Sequence, residues 1–197
     1  TAPNRTPLVF IRLTINASRD ALRRLWEQRT HGDHYQDGET IGRQHRLVVV
    51  PTSMVQQPTL KIERQRLIVM LPPERTLDES DVQQAVRGGV ARVLRKEAKA
   101  LLPKRLARMA ELHHFDYRSV RFSHSSGRWG SCSTTGTISL NIALMKLPDR
   151  LIDYVLAHEL SHTRQMNHSA AFWKEVAGVD PLYKVHRQQL KRESPIV

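Results

Sequence analysis

The sequence predicts an α+β fold, with a strand-rich N-terminal half and a helical C-terminal half. Three observations carry that expectation. Short β-branched runs dominate up to about residue 71. Apolar residues at helical spacing take over from about residue 78. Strand character returns only between about 118 and 142, around a polar, Gly-containing turn, before the chain becomes helical again. The 197 residues are enough to bury a full core, and 40% hydrophobic with 25% charged residues is ordinary for a globular protein. The chain is therefore expected to form a single domain over residues 1–197.

Taken in order, Leu8–Ile15 reads as a strand, and Ser18 caps a short helix over about 19–29 through Ala21, Leu22, Leu25 and Trp26. Residues 30–45 read as a loop and a candidate insertion, holding Gly32, Gly38 and Gly42 with His31, His34 and His45. Leu47–Val50 is a short strand stopped by Pro51. Strands 59–63 and 66–71 form a hairpin turning at Arg64-Gln65, closed by Pro72-Pro73. A helix follows from Asp78 to Leu102, interrupted by Gly88-Gly89 and broken by Pro103, with a second helix reaching about Leu112. Strands near 118–123 and 137–142 flank the turn Gly127–Ser133. Helices over about 149–165, 169–177 and 180–192 complete the chain.

Composition narrows the function classes. One cysteine, Cys132, excludes an intrachain disulfide and Cys-rich zinc or iron–sulfur sites. Its simplest role is a small buried side chain. No apolar run approaches the roughly 20 residues that span a bilayer, and no signal-peptide core is visible at the start. The default is a reducing, cytoplasmic compartment without membrane contact. Thirty-one Lys+Arg against 19 Asp+Glu give a formal net charge of +12, a field that favours polyanions. The most basic stretch, 87–108, sets eight Lys and Arg against the single acid Glu97. Arg95, Lys96, Lys99, Lys104 and Arg105 are candidate polyanion-binding residues, against the simpler reading of a solvated helix face.

The chemistry is concentrated at His158-Glu159-Leu160-Ser161-His162, an H-E-x-x-H. On a helix, i and i+4 lie one above the other, so both imidazoles can reach one metal ion. Glu159 borders that face and can act as general base on a metal-activated water without ligating the metal. Chance would produce the motif in roughly 2–3% of chains of this composition, so a third ligand matters. His168 supplies one if the chain leaves the helix near Gln165-Met166 and turns back. Three histidines leave an open position, the mark of a catalytic zinc.

The run Tyr154–His162, then Asn167-His168-Ser169 and Phe172-Trp173, with Arg128–Ser133 and Ile138–Asn141 upstream, resembles the YgjP-like metallopeptidase family. The pattern is specific over about 115–192. The resemblance implies a zincin-like fold near the SprT-type and WLM-type proteases, with zinc on His158, His162 and His168 and Glu159 catalytic. Gln165 stands where metzincins carry Gly and no Met-turn is present, so the spacing does not make this a metzincin.

Around this core, Arg128 could bind a carboxylate, a phosphate or an oxyanion, while Trp129 either meets substrate or packs behind the metal helix. Asn141 could pin the Arg-Trp-Gly loop, and Tyr183 could contact the transition state from the last helix. Phe172 and Trp173 are expected to pack the post-motif helix over the metal helix. Three functions are open: a zinc metallopeptidase taking a peptide or protein on the edge of strand 137–142, a zinc-dependent hydrolase of nucleotides or phosphate esters, and a nucleic-acid-associated protease or binding module using 87–108.

Overall fold

The computed structural model describes residues 34–197, and Gln36–Val197 form one compact unit. The strand expected at 8–15 and the helix at 19–29 lie outside the described residues, as does the start of the 30–45 loop.

Alternating apolar residues build the first sheet. β1 (Thr40–Ile41), β2 (His45–Pro51), β3 (Thr59–Glu63) and β4 (Arg66–Leu71) lie in the order β1-β2-β4-β3. The hairpin at Arg64-Gln65 forms as the sequence indicates, with Arg64 at φ 51. β4 inserts between its hairpin partner and β2, pairing parallel to β2 so that Leu47 lies beside Leu67 and Val49 beside Val69. Leu47, Leu67, Val69 and Leu71 are buried. The 30–45 segment is not wholly loop. Gly42, at φ 59, turns the chain so that Thr40–Ile41 pair antiparallel with His45–Arg46.

α1 (Ser80–Leu112) covers this sheet. It is one continuous helix, where the sequence suggested a break at Pro103. The ring removes the N–H that would reach the Lys99 carbonyl, but Lys99 is exposed and water can satisfy that oxygen. Leu102 and Leu106 are fully buried on either side of the proline. At about 1.5–3 kcal/mol each, their burial offsets the roughly 3 kcal/mol that an interior proline costs. Gly88-Gly89 does not interrupt the helix either. A Cβ at Gly89 would stand 2.8 Å from Leu60 Cδ2 and 3.1 Å from Leu67 Cδ1, so the glycine lets helix and sheet close together.

The single acid of the basic stretch is the one that α1 buries. Glu97 accepts hydrogen bonds from the backbone N–H of Arg43 (2.8 Å) and Gln44 (3.0 Å) and lies 2.7 Å from His45 Nδ1. It thereby satisfies the turn between β1 and β2 and ties that turn to the helix.

The second sheet contains β5 (Ser119–Ser123), β6 (Gly130–Cys132) and β7 (Thr137–Asn141) in the order β5-β7-β6. β5 runs parallel to β7, and β6 antiparallel. This corrects two expectations. Part of the turn 127–133 is a strand, and strand 137–141, paired on both sides, has no free edge to offer a peptide. The free edges belong to β5 and β6. After β7 a buried 3-10 turn, Ile142–Lys146, leads to α2 (Asp149–Ser161), α3 (Ala170–Val179) and α4 (Tyr183–Leu190). Among the described residues no helix is long and apolar enough to cross a membrane.

Removing the Glu97 carboxylate strands two part-buried N–H groups and a buried imidazole. Glu97→Ala is expected to lower stability by about 3–5 kcal/mol, read by urea denaturation. A loss below about 1 kcal/mol would show that the turn does not depend on it.

Candidate metal centre

Leu151, Ile152, Val155, Leu156 and Leu160 bury α2, and the stripe they leave carries His158 and His162. Regular helix ends at Ser161, with His162 as its C-cap. The exit turn is held by hydrogen bonds from Gln165 N to Ser161 O (3.0 Å) and from Thr163 Oγ1 to Leu160 O (2.8 Å). Arg164 braces it by donating to the carbonyls of His113 and His114, pairing with Glu175 and lying 4.0 Å over the Phe115 ring. Ser169 then caps α3 by accepting from Phe172 N at 3.3 Å. The chain is thus folded back, and His168 faces the helix it has just left.

His158 Nε2 lies 3.3 Å from His162 Nε2 and 3.1 Å from His168 Nε2. Imidazole nitrogens about 2.0–2.1 Å from one tetrahedral ion would stand about 3.3–3.4 Å apart, so the donor set fits a metal. His162 Nδ1 faces the Gln165 carbonyl at 3.1 Å, which places its proton there and leaves the Nε2 lone pair for a ligand role. Burial, aided by His162 and His168, pushes His158 down to about 3, so its ring is neutral at neutral pH. Burial also holds His162 below the usual histidine range. Phe172, fully buried, packs against all three rings with centroids 4.4–4.9 Å away. Among the described residues these three histidines are the group that could hold a metal ion; His45, entered as loop-borne in the sequence, is spent on Glu97.

Glu159 is 4% exposed, and its Oε2 has no hydrogen-bond partner. Burial pushes its carboxyl up to about 8, while the Arg128 guanidinium pulls the other way. Gly130 makes its position possible, since a Cβ there would fall 2.6 Å from Glu159 Oε1 and 2.8 Å from Cδ. Asn141, fully buried, holds the loop that carries Gly130. Its Nδ2 donates to the carbonyls of Ser125 (2.6 Å) and Arg128 (2.9 Å), and its Oδ1 accepts from Ala143 N (3.0 Å). A cleft of about 190 Å³ opens over the carboxylate, lined by Trp129, Gly130, Tyr154, Val155, His158, Glu159 and Leu190.

Arg128 is exposed and Trp129 half-buried in the cleft wall. Tyr183 does not line the cleft. Its ring stacks on Trp173 (5.4 Å, 16°), which stacks in turn on His168 (5.6 Å, 23°). Cys132 is half-buried at the end of β6, its thiol pushed up by burial and by Glu159. The basic candidates do not share a face. Arg95, Lys96 and Lys99 lie on one side of α1, and the 3.6-residue turn carries Lys104 and Arg105 to another. Arg105 is a correction in itself. Its guanidinium grips Asp149 Oδ1 and Asp153 Oδ2 at 2.7 Å each, which raises its affinity for the proton and occupies it. Arg95 reaches the Phe122 carbonyl at 3.4 Å. Tyr154, Val155 and Leu190 are cleft residues that sequence reasoning left in the core or ignored.

The model of the YgjP-like, metallopeptidase domain matches residues 1–193. The chain belongs to the YgjP-like metallopeptidase family. A YgjP-like domain calls for a divalent metal and acts on peptide bonds, which suits the histidine cluster and the mixed α+β architecture. No curated protein matches the sequence. Among solved structures, the zymogen of the Pyrococcus abyssi metallopeptidase abylysin is 25% identical, covering 47% of this chain and 94% of its own, with a TM-score of 0.43. The zymogen of Methanocaldococcus jannaschii jannalysin is 17% identical, covering 44% and 90%, with a TM-score of 0.39.

Gly130→Ala forces the Glu159 carboxyl aside without touching the histidines. Metal content by elemental analysis is expected to stay at the wild-type level while hydrolysis falls, by about 100-fold for a displacement near 1 Å. Equal turnover would show that the close approach is dispensable.

Proposed function

We propose that this chain is a zinc-dependent peptidase in which His158, His162 and His168 hold the metal and Glu159 moves the proton. One observation carries the reading: three imidazole nitrogens lie within 4.8 Å of one another, beside a buried carboxylate whose Oε2 has no hydrogen-bond partner, at the floor of a cleft. When bound, zinc supplies a Lewis acid that polarises the scissile carbonyl and acidifies water. Three imidazole nitrogen donors favour zinc over harder cations. The Glu159 carboxylate accepts the proton of the attacking water and delivers it to the leaving amine nitrogen. Burial makes the carboxyl a stronger base, and the positive charge of a metal on the histidines would favour the ionised form that accepts the proton.

β6 gives the substrate its place. Trp129 O accepts from Asn141 N and Ser133 N donates to Thr137 O, so residues 129, 131 and 133 bond towards β7. By the alternation of an antiparallel ladder, the N–H and C=O of Gly130 and Cys132 point to the free edge. An extended peptide added there runs past Glu159, and Trp129, Tyr154, Val155 and Leu190 offer an apolar wall to one of its side chains.

A second reading, hydrolysis of nucleotides or phosphate esters, is favoured by two guanidinium groups whose charge reaches the centre, Arg128 at Glu159 and Arg187 at His158. Nucleic-acid recruitment is left with Arg95, Lys96, Lys99 and Lys104, because Arg105 is engaged.

Glu159→Gln is expected to keep its zinc and lose about 10²–10⁴-fold in hydrolysis of a quenched-fluorescent peptide library. His162→Ala should lose both metal and turnover. Phosphate release from nucleoside triphosphates, measured alongside, separates the readings. Turnover on triphosphates alone, abolished in Glu159→Gln, overturns the peptidase assignment, and unchanged peptide turnover in that variant removes Glu159 as the base.

A further inference from the structure

A larger groove lies away from the metal. It encloses about 670 Å³ between the last turns of α1, the start of α2 and the junction of α3 with α4. From α1 it takes Leu101, Lys104, Arg105, Arg108 and Leu112, spaced i, i+3, i+4, i+7 and i+11, one face of the helix. Leu112 is 70% exposed, although it projects from a helix whose other face is core. Met109 and Val179 add to the apolar floor.

The charges on the rim are unequal. Its two carboxylates are already engaged, Asp153 by Arg105 and Asp180 by His186 at 2.7 Å. Lys104, Arg108 and Arg150 also line it, and none has an ion-pair partner among the described residues. Arg150 donates only to the neutral Gln189 side chain, at 3.1 Å. A groove with an apolar floor and three uncompensated cations at its rim matches a ligand with the opposite arrangement. Nucleic acid offers the charge, but no Phe, Tyr or Trp lines the groove for its bases to stack on, and phosphates have no use for leucine.

We propose that this groove docks an acidic amphipathic segment of a partner protein, apolar side chains against Leu101, Met109, Leu112 and Val179 and carboxylates against Lys104, Arg108 and Arg150. The stretch from Leu101 to Leu112 is about 16 Å of helix at 1.5 Å per residue, so about three turns of a helical segment would fill it. Docking is independent of the reaction at the metal centre.

The test is fluorescence anisotropy of the full chain with a labelled peptide of about three helical turns, Leu on one face and Glu on its flanks. Three comparison probes accompany it: the same peptide with Glu replaced by Gln, the same with Leu replaced by Ser, and an oligo-dT strand. The acidic Leu peptide is expected to bind, and each altered peptide to bind about ten-fold or more weakly. Leu112→Glu and the pair Arg108→Glu with Arg150→Glu should each weaken it to the same degree, with unchanged circular dichroism, whereas Arg92→Glu, outside the groove, should not. Absence of binding, equal binding of the Gln or Ser peptide, loss in Arg92→Glu alone, or oligo-dT binding more tightly and indifferent to Leu112→Glu would each overturn the proposal.

Discussion

Dehydration of α2 is the constraint around which the rest is arranged. The helix must be apolar enough to be packed on most sides, yet it carries two imidazoles and a carboxylate that need to stay chemically available. Water would satisfy these groups cheaply and blunt them. The structure removes the water and answers each group separately. His162 spends one nitrogen on the Gln165 carbonyl, Phe172 fills the space beneath the rings, and Glu159 is given a glycine in place of a side chain to lie against. What burial does to the titration of His158 and Glu159 follows from the same dryness: the imidazole is kept neutral and the carboxyl is made a stronger base.

That dryness depends on elements far from α2 in sequence. The loop bearing Gly130 has little regular structure of its own, and one fully buried amide, Asn141, holds two of its backbone carbonyls and one N–H of the following turn. α1 supports the assembly from behind. Its first half closes on the N-terminal sheet through Gly89, its middle is fastened by Glu97, and its last turns reach Asp149 and Asp153 of α2 through Arg105. One long helix therefore registers the sheet half of the protein against the helix that bears the metal ligands. A break at Pro103 would separate the two jobs.

The sequence was most legible where a short spacing implies a geometry. The i, i+4 histidines and the return of His168 follow from helical periodicity and one turn, and Asn141 could be seen to belong to the Arg-Trp-Gly loop. Legibility failed where long-range partners decide. β6 is three residues, Gly-Ser-Cys, without a β-branched side chain, and it is a strand only because β7 pairs with it. Gly88-Gly89 and Pro103 carry helix-breaking propensities that burial overrides. Arg105 reads as one more surface cation until Asp149 and Asp153, more than forty residues on, arrive beside it. Tyr154, Val155 and Leu190 cannot be recognised as cleft walls by type, since the same residues would serve equally well in a core.

α4 is attached differently from the other helices among the described residues. It buries none of its residues. It is held by the stack of Tyr183 on Trp173, with Arg187 4.6 Å over the same indole, by His186 on Asp180 and by Gln189 on Arg150. Such a helix has a low local opening free energy, and its amides should exchange with solvent well before those of α2. Because Trp173 also lies against His168, an ion bound there as proposed would steady the ring on which α4 rests. The exchange rate of this one exposed helix becomes a gauge of metal occupancy, readable without any substrate.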